Sequence, residues 1–171
     1  AARRGVEAAT LAGAGFEGAA DPLAGANGFF RGYSADADPD AVRDVGERSA
    51  VEETALKPYP CCRYTHPALD ALVDLADEVD PADVTGVTVD LPRPGVRLTG
   101  DPIDRKRRPA NFVDCQFSMP FGAALALDRG RADLSAFLDA QDDLADPALR
   151  ALMDATDVVT TDAVADLFPE R

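Results

Sequence analysis

Within "LKPYPCCRYTHPALDAL", residues 56–72, stand Lys57, Cys61, Cys62, Arg63 and His66. Lys57 and Lys106 are the chain's two lysines, and His66 is its one histidine. An ammonium, two thiols, a guanidinium and an imidazole in ten residues could hold a metal, exchange a disulfide or bind an anion. Cys61 and Cys62 are adjacent, so they lack the C-x-x-C spacing of thioredoxin-like and zinc sites. A structural zinc needs four ligands of the Cys/His kind; the one histidine and all three cysteines would have to serve together, two of them as adjacent residues, so such a site is not expected. Buried, inert thiols are the expectation for all three cysteines. The anion-binding corner remains.

The composition narrows what the partner could be. With 31 acidic and 17 basic residues the 171-residue chain carries a formal charge of −14. Nucleic acid is a poor partner for such a polyanion. No run approaches the roughly 18 apolar residues of a membrane span. The opening "AARRGVEAATLAGAGF" is too charged for a secretory leader. Three cysteines and no leader point to a reducing, cytoplasmic setting. Abundant aspartate with scarce lysine reads as adaptation to high salt, where carboxylates keep the surface hydrated and their repulsion is screened. The thermal unfolding midpoint is therefore expected to fall when salt is diluted.

The corner must be positioned by its neighbours. Residues 1–14 are rich in alanine and glycine at near-helical spacing, a helix able to lie close against others. Phe29 and Phe30 are expected to anchor a loop, and "DADPDAVRDVG" to form a short helix with Pro39 in its first turn. "AVEETALKPYP" reads as a strand closed by prolines. A helix follows from Pro67 to about Val79, with Leu69, Leu72, Val73 and Ala76 on one face. "VTGVTVDLP" alternates as a half-buried strand. Residues 93–111 read as a loop, and a helix is expected from about Cys115 to Asp128, with Phe117, Phe121 and Leu125 stacked along it. Asp133 and Asp146-Pro147 open two further helices, and "ATDVVTT" is a third strand. Three strands among longer helices predict an α+β fold with a small open sheet. Neither end carries a cap or a polar tail, so the chain is expected to be part of a longer protein.

Four blocks, "AARRGVEAATLAGAGFEG", "DPLAGANGFF", "KPYPCCRYTHPALDAL" and "CQFSMPFGAALALDRG", occur in an order that resembles the MmgE/PrpD family. That family includes 2-methylcitrate dehydratase, cis-aconitate decarboxylase and iminodisuccinate epimerase. The resemblance implies a cytosolic, metal-independent homodimer without cofactor, acting on small polycarboxylates in a cleft between a helical domain and an α+β lid. Residues 1–48 would be the end of a helical-domain segment and 49–171 the lid, incomplete at its C-terminal end. The family's N-terminal helical region, with its active-site aspartate and histidine residues, would lie outside the chain, so that the chain by itself could be inactive. Dimerisation would run through the helical domain of the full-length protein.

The resemblance implies a catalytic role for Lys57, which matches the family's active-site lysine and would anchor a substrate carboxylate; the plainer alternative is a surface lysine. His66 is the natural proton carrier, with a packing role at the helix start as its alternative. Arg63 could pair with a carboxylate bidentately, or merely face solvent. Ser118 and Phe121 are the remaining substrate-binding candidates. The decarboxylase branch has a tyrosine where Phe121 stands, and a phenyl ring can donate neither a proton nor a hydrogen bond. "DRKRRP", residues 104–109, is the single basic run, a solvated loop or a cleft mouth that draws in anions. The expected activity is dehydration of a substrate like 2-methylcitrate, a step of propionate catabolism. Its rivals are epimerisation or decarboxylation of another polycarboxylate, and a non-catalytic lid-like fragment.

Overall fold

Proline and aspartate set the element boundaries in the computed structural model, which describes residues 2–38, 40, 46 and 49–165. The chain divides into two compact units, Ala1–Ala55 and Leu56–Arg171. In the first, α1 (Ala2–Gly13) is followed by a series of turns and the short α2 (Phe29–Tyr33). Phe29 is 55% exposed and stacks on Tyr33 with ring centroids 4.5 Å apart, so it is a surface residue and not the expected anchor. The helix expected around Pro39 lies outside the described residues.

The second unit runs α3 (His66–Ala76), β1 (Val87–Asp90), α4 (Arg93–Thr99), α5 (Ile103–Lys106), α6 (Phe112–Gln116), α7 (Met119–Arg129), α8 (Leu134–Gln141), α9 (Pro147–Asp154) and β2 (Thr156–Val159). The sheet is two-stranded and parallel, with Val87 opposite Thr156 and Val89 opposite Val158. Helices surround a small open sheet, an α+β fold. Parallel partners need a crossover, and here α4 to α9 supply it.

Three expectations are corrected. Residues 50–60 form no strand: Ala50–Glu53 is a single 3-10 turn, and the segment to Pro60 has neither helix nor strand. Pro58 and Pro60 lack the N–H groups a ladder requires. Residues 93–106 hold α4 and α5 where a loop was expected; Pro94 sits in the first turn of α4, where its missing N–H costs nothing. The expected helix over 115–128 is broken. Pro120 fits only a first turn, so the helix restarts at Met119 with Ser118 as its cap, and Phe117, 40% exposed, drops off the apolar stripe.

Helix α7 is the centre of the unit. Every residue from Met119 to Leu127 is buried, the mark of an element covered on all sides. Leu69 of α3 lies against Gly122, where a β-carbon would stand 3.1 Å from Leu69 Cδ2. Leu125, Phe137, Leu149 and Met153 complete the same core. Gly130 ends α7 in the left-handed region at φ 61°, which glycine adopts without strain. Asp133 and Asp146 cap α8 and α9 as expected, accepting from Ala136 N and Ala148 N.

The basic run at 104–109 ties this unit together. Lys106 Nζ donates to Leu98 O at 2.6 Å and Phe117 O at 2.8 Å. Arg107 places Nε and one terminal nitrogen on Thr156 O and also reaches Asp157, and so covers one edge of β2. Arg108 grips Asp154 with both terminal nitrogens. Three of the four cations of a prospective cleft mouth are thus engaged in structural contacts. Arg107→Ala is expected to cost about 1.5–3 kcal/mol in urea unfolding, the range for hydrogen bonds to a charged group. Arg105→Ala, at an exposed position, should stay within about 0.5 kcal/mol of the parent.

Candidate active site at the start of α3

His66 is the first residue of α3 and only 5% exposed. Pro67 follows it in the first turn, where proline's fixed φ favours starting a helix. Its Nε2 lies 3.4 Å from the Cys61 carbonyl. A carbonyl only accepts, so that nitrogen carries the proton of the neutral ring. Nδ1 is then a bare lone pair, and it is buried with no hydrogen-bond partner among the described residues. An unmatched buried acceptor is costly and rare, and it leaves this nitrogen with an unused lone pair.

Burial, with the charges around the ring, keeps it neutral. Burial lowers the His66 pKa first, and the positive charges of Lys57 and Arg63 lower it further; the Cys61 carbonyl and Asp70 oppose them. Lys57 and Arg63 are both exposed. Lys57 also acts on Cys61, whose thiol is nevertheless pushed up, chiefly by burial. The structure therefore brings Lys57, Arg63 and His66 within electrostatic reach of one another: two solvent-facing cations beside a buried neutral base.

A depressed histidine pKa has a stability consequence. The unfolded chain takes up a proton near pH 6.5, while folded His66 resists it to lower pH. Stability linked to His66 is complete above about 6.5 and is lost as pH falls through the folded value. An NMR titration of the single imidazole should give a midpoint below the free-histidine value. A midpoint at or above it would contradict this burial.

Ser118 and Phe121 are engaged in structural contacts. Ser118 Oγ donates to Lys106 O at 2.6 Å and accepts from Phe121 N at 3.0 Å, so its hydroxyl is occupied in starting α7. Phe121 is 0% exposed and packs edge-to-face on Phe137, centroids 5.3 Å apart. The thiols are buried: Cys61 Sγ lies 3.2 Å from Thr65 Oγ1, and burial pushes Cys115 up to about 12. Among the described residues no three His, Cys, Asp or Glu side chains converge in a way that could hold a metal ion. Nor is any described helix long and apolar enough to cross a membrane.

Tyr59, Asp70 and Gln116 were not singled out by residue type, yet they frame the site. Tyr59 donates to Asp70, and Gln116 Nε2 donates to Pro60 O at 2.6 Å while the Gln116 backbone carbonyl accepts from Cys62 N at 2.9 Å. The readable signal was the spacing of His66 and Asp70, four apart and so on one helix face.

The family model of the MmgE/PrpD C-terminal domain matches residues 59–171, about two thirds of the chain. The chain belongs to the MmgE/PrpD family. Members of this family are generally lyases or related enzymes. The matched span takes in Arg63, His66, Ser118 and Phe121 and begins two residues after Lys57. Among curated proteins none matches the chain.

Proposed function

We propose that this MmgE/PrpD chain is the lid part of a metal-independent hydro-lyase that dehydrates a small polycarboxylate such as 2-methylcitrate. The observation that carries the reading is the bare, buried Nδ1 of His66 beside the cations Lys57 and Arg63. Dehydration begins with loss of a proton from the carbon next to a carboxylate. Its barrier falls when cations take up the charge that builds on that carboxylate. In this reading Lys57 anchors the carboxylate, Arg63 holds a second one, and Nδ1, covered in the chain as it stands, accepts the proton once the His66 ring turns toward the substrate. The C–H electron pair becomes the new double bond, and the hydroxyl leaves as water with a proton from an acid on the helical domain. A base whose conjugate acid is disfavoured by burial and two nearby cations stands in its neutral, accepting form at neutral pH.

Residues 1–48 are read as the end of a helical-domain segment and 49–171 as lid, with the full-length protein a cytoplasmic homodimer paired through its helical part. These points rest on the family resemblance and the acidic composition. Incubating the full-length protein with 2-methylcitrate, citrate and cis-aconitate tests the reaction. Alkene absorbance rising with 2-methylcitrate supports it. Carbon dioxide from cis-aconitate would replace dehydration by decarboxylation, and turnover of none of the three would overturn it.

A further inference from the structure

Lys57 and His66 are held by different kinds of structure. The helix fixes His66, but Lys57 stands on a segment, 54–60, with neither helix nor strand. Backbone regularity cannot set the distance between them, so tertiary contacts must. Gln116 holds Pro60 O at the end of the segment, and the contact that joins the segment to His66 itself is Tyr59, two residues from Lys57. Its hydroxyl donates to Asp70 Oδ1 at 2.5 Å, and its ring meets the His66 imidazole edge-on, centroids 5.2 Å apart and planes at 84°. Asp70 shares the His66 face of α3, so one side chain spans the first turn, ring on imidazole and hydroxyl on carboxylate.

This clasp settles two things that nothing else in the site does. The 3.4 Å approach of Nε2 to the Cys61 carbonyl is at the long limit of a hydrogen bond and cannot by itself fix the ring plane; the Tyr59 edge supplies the second constraint. Asp70 is also the negative charge acting on His66, where Lys57 and Arg63 supply the positive ones. An aspartate four residues along a helix is a natural partner for a histidine, and one that pairs with it turns a proton acceptor into a held imidazolium. The Tyr59 hydroxyl occupies that carboxylate instead. The tyrosine's own pKa is pushed up to about 12, chiefly by this hydrogen bond, so it stays a donor across the physiological range.

We infer that Tyr59 is the positioning residue of this site: its hydroxyl on Asp70 and its ring on His66 keep the imidazole unpaired, with Nδ1 bare, and hold the Lys57 segment beside it. The inference rests on the reading of Lys57 and His66 as the substrate-facing pair, but its test does not depend on turnover. His66 is the one histidine of these 171 residues, and in the full-length protein the resonance missing from His66→Gln identifies it in a carbon- or nitrogen-detected NMR titration. In Tyr59→Phe the ring stays and the carboxylate is released. The His66 midpoint is expected to move up, and its neutral form to shift from Nε2–H alone to a mixture of tautomers. In Asp70→Asn there is no carboxylate to release, so adding Tyr59→Phe to it should leave the midpoint where Asp70→Asn set it. In the full-length enzyme Tyr59→Phe should lower kcat roughly 10- to 100-fold with KM within about twofold, the signature of misplaced groups rather than lost binding. A His66 midpoint and tautomer unmoved by Tyr59→Phe overturn the inference whatever the kinetics. A moved imidazole together with full activity in Lys57→Ala would instead remove the functional reading and leave the clasp in place.

Discussion

Lys57→Ala is expected to lower kcat of the full-length protein on its polycarboxylate by roughly 10²–10³-fold, the loss typical of removing one preorganised charge partner from a developing anion. The unfolding midpoint should hardly move. Lys57 is exposed, and truncating it strands no buried partner. Its influence is electrostatic: its charge already weighs on His66 and Cys61. An ammonium acts as a point charge, so Lys57→Arg should restore part of the activity and Lys57→Gln little of it. Parallel steady-state kinetics and thermal unfolding on the three variants check this. Activity retained within about threefold in Lys57→Ala, less than 1 kcal/mol of barrier, would remove Lys57 from the site.

Phe121→Ala is expected to act on the fold and not on the chemistry, costing about 3–5 kcal/mol. The ring is fully buried at the start of α7 and faces Phe137 at 71° between planes, a favourable arrangement for two aromatic quadrupoles. Removing it leaves a void next to residues that are themselves buried on every side. Phe121→Tyr asks a different question at the same place. A hydroxyl added there enters an apolar core, and burying it unpaired costs about 1–3 kcal/mol. The tyrosine should therefore destabilise without conferring decarboxylation, although a tyrosine at this position is what the family resemblance implies for the decarboxylase branch, from which Phe121 departs. Urea unfolding of both variants, with carbon dioxide release from cis-aconitate, is the measurement. A Phe121→Ala cost below about 1 kcal/mol would take Phe121 out of the core.

Elements with strong local signals were legible in the residues. Asp133 and Asp146 cap the helices they were expected to cap, because a short carboxylate before an apolar run has few other uses. The apolar face of α3 was readable from Leu69 and Leu72, both buried. The misread elements share a cause, which is proline placed where two interpretations compete. Pro120 looks tolerable inside an apolar helix until its missing N–H is counted, and it breaks the run into α6 and α7. Pro58 and Pro60 were taken to close a strand when they prevent one. Pro94 started a helix that looked like loop. The basic run at 104–109 misled for another reason: sequence shows charge but not the carbonyls that Lys106 and Arg107 reach, one of them 49 residues away along the chain.

The site was partly legible on the same terms. The scarcity of lysine and histidine singled out Lys57 and His66, and the structure places them within electrostatic reach of each other. Rarity says nothing about what holds a residue, so Tyr59 and Asp70 were invisible until their contact across the first turn of α3 was seen. Ser118 carried a chemically useful group, but capping α7 consumes it.

The most direct measurement is a crystal structure of the full-length protein with a tricarboxylate bound. The account predicts one carboxylate within hydrogen-bonding reach of Lys57 Nζ and a hydrogen-bearing substrate atom facing His66 Nδ1. A tricarboxylate seated away from the start of α3, with the Lys57 ammonium in open solvent and Nδ1 still bare, would contradict it.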